Sequence, residues 1–145
     1  MRKELITHRG DIFVIHDFLS PAECENYITL SESAGYGDAP INTMSGPMIR
    51  KEIRNNDRVI IDDQDLAAKL WQRLEPFMPE LSRSCVAIGL NERFRFYRYD
   101  PGQQFNWHTD GCYERSSREQ SEFTFMIYLK GGCAGGRHRV QPAPL

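Results

Sequence analysis

Apolar and polar positions follow a helical period in one early stretch of the chain, from Leu66 to Leu74, and a period of two in the later ones. Ile12-Phe13-Val14-Ile15 is a β-branched and aromatic run and predicts a first strand. Ser20-Pro21-Ala22-Glu23 predicts a helix start. Serine stands at the cap, proline at the first helical position, and glutamate three residues after the serine, where both side chains can meet backbone N–H groups that the first turn leaves open. That helix should run to about Ser33 and stop at Gly35. Residues 36–47, rich in Gly, Pro, Asn and Ser, read as a loop. Val59-Ile60-Ile61 predicts a short strand, and Asp62 or Asp63 then caps a second helix. Leu66, Leu70, Trp71 and Leu74 fall on one face of it, and Pro76 and Pro79 end it.

From Ala87 onward the period is two. Phe94 and Phe96 share one face of a strand, with Arg95, Tyr97 and Tyr99 on the other. Pro101-Gly102 marks a turn. Phe123, Phe125, Ile127 and Leu129 alternate with Thr124, Met126 and Tyr128, the cleanest strand pattern in the chain. Gly131-Gly132 and Gly135-Gly136 mark loops. Helices first and antiparallel-looking strands afterwards predict an α+β fold, with the N-terminal helices packed on one side of a sheet or barrel. No repeat or linker interrupts the pattern, so residues 1–145 read as one partial domain. The basic, proline-containing tail 137–145 breaks the strand pattern that precedes it and reads as a divergent end.

Composition narrows the function classes. The chain has 145 residues, 40% apolar and 26% charged, with a net charge of -2. That balance gives no field to attract nucleic acid or an anionic membrane, and neither is expected as a partner. No apolar run reaches membrane-spanning length, and no long apolar stretch follows Met1-Arg2-Lys3-Glu4-Leu5, so no secretory signal is expected. Cys24, Cys85, Cys112 and Cys133 are widely spaced, without a CxxC pair, and are expected as free thiols. The expected location is cytoplasmic, with the nucleus left open.

The stretch from Tyr99 to Gly111 carries the chemistry. In extended chain, residues two apart point the same way, so His108 and Asp110 project an imidazole and a carboxylate into one space. A facial triad of two histidines and one carboxylate needs such a pair plus a distant histidine, and leaves iron positions open for small ligands. Taken alone, the pair also fits a surface histidine beside a turn aspartate.

The surrounding residues tilt that choice. Arg93 to Gln103, His108-Thr109-Asp110-Gly111, Phe123 to Leu129 and Gly135-Gly136 occur in an order that resembles the prolyl 4-hydroxylase-like branch of the 2-oxoglutarate- and iron(II)-dependent oxygenases. The resemblance covers residues 88 to 136. It implies a double-stranded β-helix core of jelly-roll or cupin type, incomplete at the C-terminus. It implies Fe(II), 2-oxoglutarate and L-ascorbate as cofactors, O2 as co-substrate, and a protein or peptide as substrate. The implied reaction is hydroxylation of a prolyl-type side chain or other C–H group, with decarboxylation of 2-oxoglutarate to succinate. His108 and Asp110 are the implied metal ligands, with no further catalytic side chain. Tyr99 is implied to contact the co-substrate near the metal. Tyr128 and Thr124 are implied at its distal carboxylate, with core packing as the plainer role for the tyrosines. Arg54, Asn56, Arg58 and Trp107 are the implied substrate contacts. Arg93, Arg95 and Arg98 fit exposed strand positions better than anion binding.

The chain departs from that pattern in two places. The family's second histidine and the Lys or Arg that follows it are missing from their expected context. His138 is the one later histidine, and it reads as a tail residue. Two protein ligands hold iron more weakly than three. The rival reading is therefore a catalytically inactive, truncated barrel module that binds or regulates a partner. A zinc site from His108, Asp110 and Cys112, which share one strand parity, is a further alternative.

Overall fold

The computed structural model describes residues 1–7, 12–81 and 85–131. Gly135-Gly136, Cys133, His138 and the tail 137–145 lie outside the described residues. The order of elements is β1 (Arg2–Leu5), β2 (Phe13–His16), α1 (Pro21–Ala34), β3 (Gly37–Asp38), β4 (Ile41–Thr43), β5 (Gly46–Met48), β6 (Asp57–Asp62), α2 (Gln64–Leu74), a 3-10 turn (Glu75–Phe77), β7 (Arg93–Arg98), β8 (Glu114–Ser116) and β9 (Glu119–Gln120). The fold is mixed α+β, built from two helices and small antiparallel sheets among the described residues. The chain divides into two compact units interleaved in sequence: Met1–Ser33 with Ile60–Phe96, and Ala34–Val59 with the described part of Tyr97–Leu145.

In the first unit, β1 and β2 form an antiparallel pair from Arg2↔His16 to Leu5↔Phe13. Helix α1 starts where the sequence predicts. The Ser20 backbone N–H donates to Glu23 Oε2 at 2.9 Å and the Glu23 N–H donates to Ser20 Oγ at 3.3 Å, a reciprocal cap. The helix stops before Gly35, whose φ of 82° is a left-handed conformation that costs glycine little. Asp63, rather than Asp62, caps α2, accepting from the Leu66 N–H at 2.8 Å. Asp62 instead pairs with the guanidinium of Arg93 at 2.8 and 2.9 Å. Ala67, Leu70 and Leu74 of α2 are buried, as is Phe18, so the apolar stripe read from the sequence is the core face.

In the second unit, β3 pairs with β6 through Gly37↔Arg58 and Asp38↔Asp57. β6 in turn neighbours β7 in a sheet of order β3-β6-β7. Residues 36–47, expected as loop, contain three short strands instead. β4 and β5 pair through Ile41↔Met48, Asn42↔Pro47 and Thr43↔Gly46. The turn between them is closed locally: Thr43 Oγ1 donates to the Gly46 carbonyl at 2.7 Å and Gly46 adopts φ 101°. A two-stranded ribbon leaves one edge unpaired, which lets Pro47 sit in a strand despite its missing N–H.

Strand β7 keeps its expected alternation, with Phe94 and Phe96 more covered than Arg95 and Tyr97. Residues 123–129 also keep theirs, with Phe123, Phe125, Ile127 and Leu129 more covered than Thr124, Met126 and Tyr128. They are not, however, part of a strand ladder among the described residues. Alternation records which side faces inward; a strand also needs a neighbour to take its backbone hydrogen bonds. The described sheets do not close into a barrel. No helix among the described residues is long and apolar enough to cross a membrane.

Candidate functional site

The site lies in the second unit and begins with a turn. Gly102, at φ 85°, reverses the chain, the Gln103 N–H donates to the Asp100 carbonyl at 3.0 Å, and the Asp100 N–H donates to Gln103 Oε1 at 2.8 Å. The chain then runs antiparallel to residues 53–55. The Asn55 N–H donates to the Gln104 carbonyl at 3.1 Å, and the Asn106 N–H donates to the Ile53 carbonyl at 2.9 Å, with Arg54 facing Phe105. Asn55 Oδ1 accepts from the Gln104 N–H at 2.6 Å, and Asn106 Nδ2 donates to the Glu52 carbonyl at 3.1 Å. The polar run around Arg54 thus braces the segment that leads into His108.

That bracing shapes a column of rings. The His108 imidazole stacks on Phe105 with centroids 3.6 Å apart and planes 14° from parallel. The Arg54 guanidinium lies over Phe105 at 4.3 Å and over Tyr97 at 4.6 Å. A stacked imidazole occupies one face of Phe105, so the guanidinium takes the other, held between two aromatic faces. Arg54 is 5% exposed and Asn56 1%. Arg54 Nε donates to Asn56 Oδ1 at 2.9 Å, while its buried Nη2 has no hydrogen-bond partner among the described residues.

The two expected metal ligands converge. His108 Nε2 stands 3.4 Å from Asp110 Oδ1. The other imidazole nitrogen, Nδ1, is 2.8 Å from the Asn106 carbonyl, a partner that only accepts and so draws the ring proton to Nδ1. Asp110 Oδ2 accepts from Thr124 Oγ1 at 2.8 Å. Two donor atoms 3.4 Å apart are close enough to reach one ion. One imidazole and one carboxylate match the donor types of a non-haem iron site. Among the described residues no group of three His, Cys, Asp or Glu side chains gathers to hold a metal. The pair by itself falls short of a three-donor group among the described residues.

The hairpin of β8 and β9, paired through Glu114↔Gln120, returns the chain so that Thr124 reaches Asp110. The same hairpin argues against zinc. Cys112 Sγ lies 3.5 Å from the Ser121 carbonyl and does not complete a three-donor group with His108 and Asp110. Cys24, Cys85 and Cys112 are free thiols.

The other expected residues are placed as follows. Burial holds the Tyr99 phenol above the usual tyrosine range; the charge of Arg54 opposes that, and Tyr97 and Tyr128 add to it. Tyr99 therefore lies within electrostatic reach of each of the three. Burial likewise raises the Tyr128 phenol. Thr124 and Tyr128 share the more exposed face of residues 123–129, and Trp107 is 66% exposed. Arg58 sits in β6 opposite Gly37. Arg93 and Arg98 are engaged with Asp62 and Asp57, at 2.8 and 2.9 Å. Phe105, Asn106 and Tyr97 complete the site without having been read from the sequence. Asn106 shares the parity of His108 and Asp110, whereas no strand or helix period links Phe105 or Tyr97 to His108.

The described clefts elsewhere carry no comparable chemistry. One of about 420 Å³ in the first unit is lined by Asp17, Phe18, Glu23 and Arg73, but Glu23 and Arg73 are already bonded to each other.

Fold and site together define an α+β protein with a His-x-Asp pair beside a buried guanidinium and two partly covered tyrosines. The chain is similar to Prolyl 4-hydroxylase 1 of Arabidopsis thaliana, 22% identical over 139 residues. The match spans 94% of this chain and 48% of the relative, so the chain spans about half the length of the curated relative it matches. No family model matches the sequence, and no solved structure matches it.

Proposed function

We propose that this chain is the ligand-bearing portion of a 2-oxoglutarate- and Fe(II)-dependent dioxygenase that hydroxylates a prolyl-type peptide side chain or other C–H substrate. The observation that carries the reading is the 3.4 Å approach of His108 Nε2 and Asp110 Oδ1, each held from behind by a hydrogen bond. The similarity to a prolyl 4-hydroxylase supports it. The fold proposed for the whole protein is a jelly roll, to which β6, β7 and residues 123–129 would contribute strands.

When bound, iron supplies oxidation of a C–H bond by O2, coupled to conversion of 2-oxoglutarate to succinate, with ascorbate keeping the metal reduced. The chain's own residues orient the parts. His108 and Asp110 present two donors. Tyr99 offers a hydroxyl to the co-substrate near the metal, and Tyr128 offers one to its distal carboxylate; a phenol is protonated at neutral pH without help, and partial burial raises both further above it. Arg54 and Asn56, both buried, would back the substrate site, with Asn56 holding the guanidinium in place. Trp107 and Arg58 flank the approach of a peptide. The place of work in this reading is the cytoplasm.

A second reading, a binding module without turnover, draws support from the two-donor set among the described residues. Anaerobic loading with Fe(II), then addition of 2-oxoglutarate and O2, tests both. The expected result is succinate from the wild-type chain and none from Asp110→Ala. Metal binding without succinate, across a panel of peptide substrates, would leave the module reading standing.

A further inference from the structure

We propose that Thr124 is a positioning residue for Asp110, and that its hydroxyl serves the metal ligand rather than the co-substrate. The inference rests on the reading of His108 and Asp110 as metal ligands. Thr124 Oγ1 lies 2.8 Å from Asp110 Oδ2, and Asp110 Oδ1 faces His108 Nε2 at 3.4 Å. The carboxylate thus has one oxygen engaged by the protein and one left for an ion.

A threonine hydroxyl carries one proton, and an ionised carboxylate can only accept. Thr124 therefore gives its proton to Asp110 and has none to offer a second carboxylate. A distal co-substrate carboxylate would need another donor. The histidine is treated in the same way: the Asn106 carbonyl holds Nδ1 at 2.8 Å, and Phe105 fixes the ring plane. Each donor atom is aimed by a bond on the far side of its own group, the arrangement that tunes metal ligands generally.

The test uses the whole chain with Thr124→Val, which keeps the branched shape and removes the hydroxyl, and Thr124→Ser, which keeps the hydroxyl. Mn(II) is titrated without co-substrate, with the free ion followed by electron paramagnetic resonance. Thr124→Val should weaken Mn(II) binding by roughly 10- to 100-fold, and Thr124→Ser should restore it to within about threefold of wild type. Metal-free NMR supplies a second readout. The Asp110 Hα–Hβ couplings should report one rotamer in wild type and Thr124→Ser, and averaging in Thr124→Val. Unchanged couplings and unchanged Mn(II) affinity in Thr124→Val would overturn the role of Thr124 while leaving the metal reading intact. Absence of a saturable Mn(II) site in wild type, or a site indifferent to Asp110→Ala, would overturn both.

Discussion

Arg73 on α2 donates from Nη2 to Glu23 Oε1 on α1 at 2.6 Å, and the other oxygen of the same carboxylate caps α1 through Ser20. One side chain thus starts a helix and ties it to its neighbour. The Arg73 hydrogen bond, followed by those from Ser20, lowers the Glu23 carboxyl to about 2. A carboxyl depressed in the folded state contributes stability above its unfolded value and loses it as pH falls through the folded value. The contribution should be whole at pH 6 and fade between about 4.5 and 2. Thermal melts of wild type and Glu23→Gln should therefore differ at pH 6 and converge near pH 2. A difference that persists undiminished at pH 2 would refute the linkage.

Helix α2 depends on one cap. Asp63 Oδ1 takes the Leu66 N–H at 2.8 Å. Asp63→Ala should cost about 1 kcal/mol in urea unfolding, while Asp63→Asn or Ser should recover most of it. Equal losses in all three would mean that the hydrogen bond is not what the site contributes.

Arg54 and Asn56 form a buried pair whose members depend on each other. Asn56→Leu removes the acceptor of Arg54 Nε, and Arg54→Met removes the donor to Asn56 Oδ1. Each single change should cost about 1–3 kcal/mol, because it strands a buried polar atom. The double variant should cost clearly less than the sum, since both partners then become apolar. Additive losses by chemical denaturation would show that the two side chains act independently.

His108 and Asp110 should be separable from stability. Their side chains are 34% and 58% exposed. His108→Ala and Asp110→Ala should each shift unfolding by no more than about 0.5–1 kcal/mol. Each should weaken Mn(II) or Co(II) binding at least tenfold, read by calorimetry. Loss of fold in either variant would make the pair structural.

Much of the first unit was legible in the sequence because its determinants are local. Ser20 and Glu23 are three residues apart, as are Asp63 and Leu66, and the stripe from Leu66 to Leu74 repeats at helical spacing. The second unit was less legible. Residues 36–47 read as loop because half of them are Gly, Pro, Asn or Ser, yet the Thr43–Gly46 contact closes a hairpin there. Residues 123–129 read as the best strand, and their alternation is real, but pairing needs a neighbour that a single stretch of sequence does not specify.

The site divides in the same way. The two-residue spacing of His108 and Asp110 was enough to predict that both would face one point, because extended backbone alternates its side chains. Their close approach agrees with it. What holds them there comes from far along the chain: Thr124 lies fourteen residues beyond Asp110, and Arg54 fifty-one before Phe105. Sequence by itself determined the donor types and their parity, since these follow from covalent geometry. Only the tertiary structure decided which hydroxyl meets which carboxylate oxygen and which ring lies on the imidazole. Those contacts depend on hairpin register and strand pairing, and no local period encodes them.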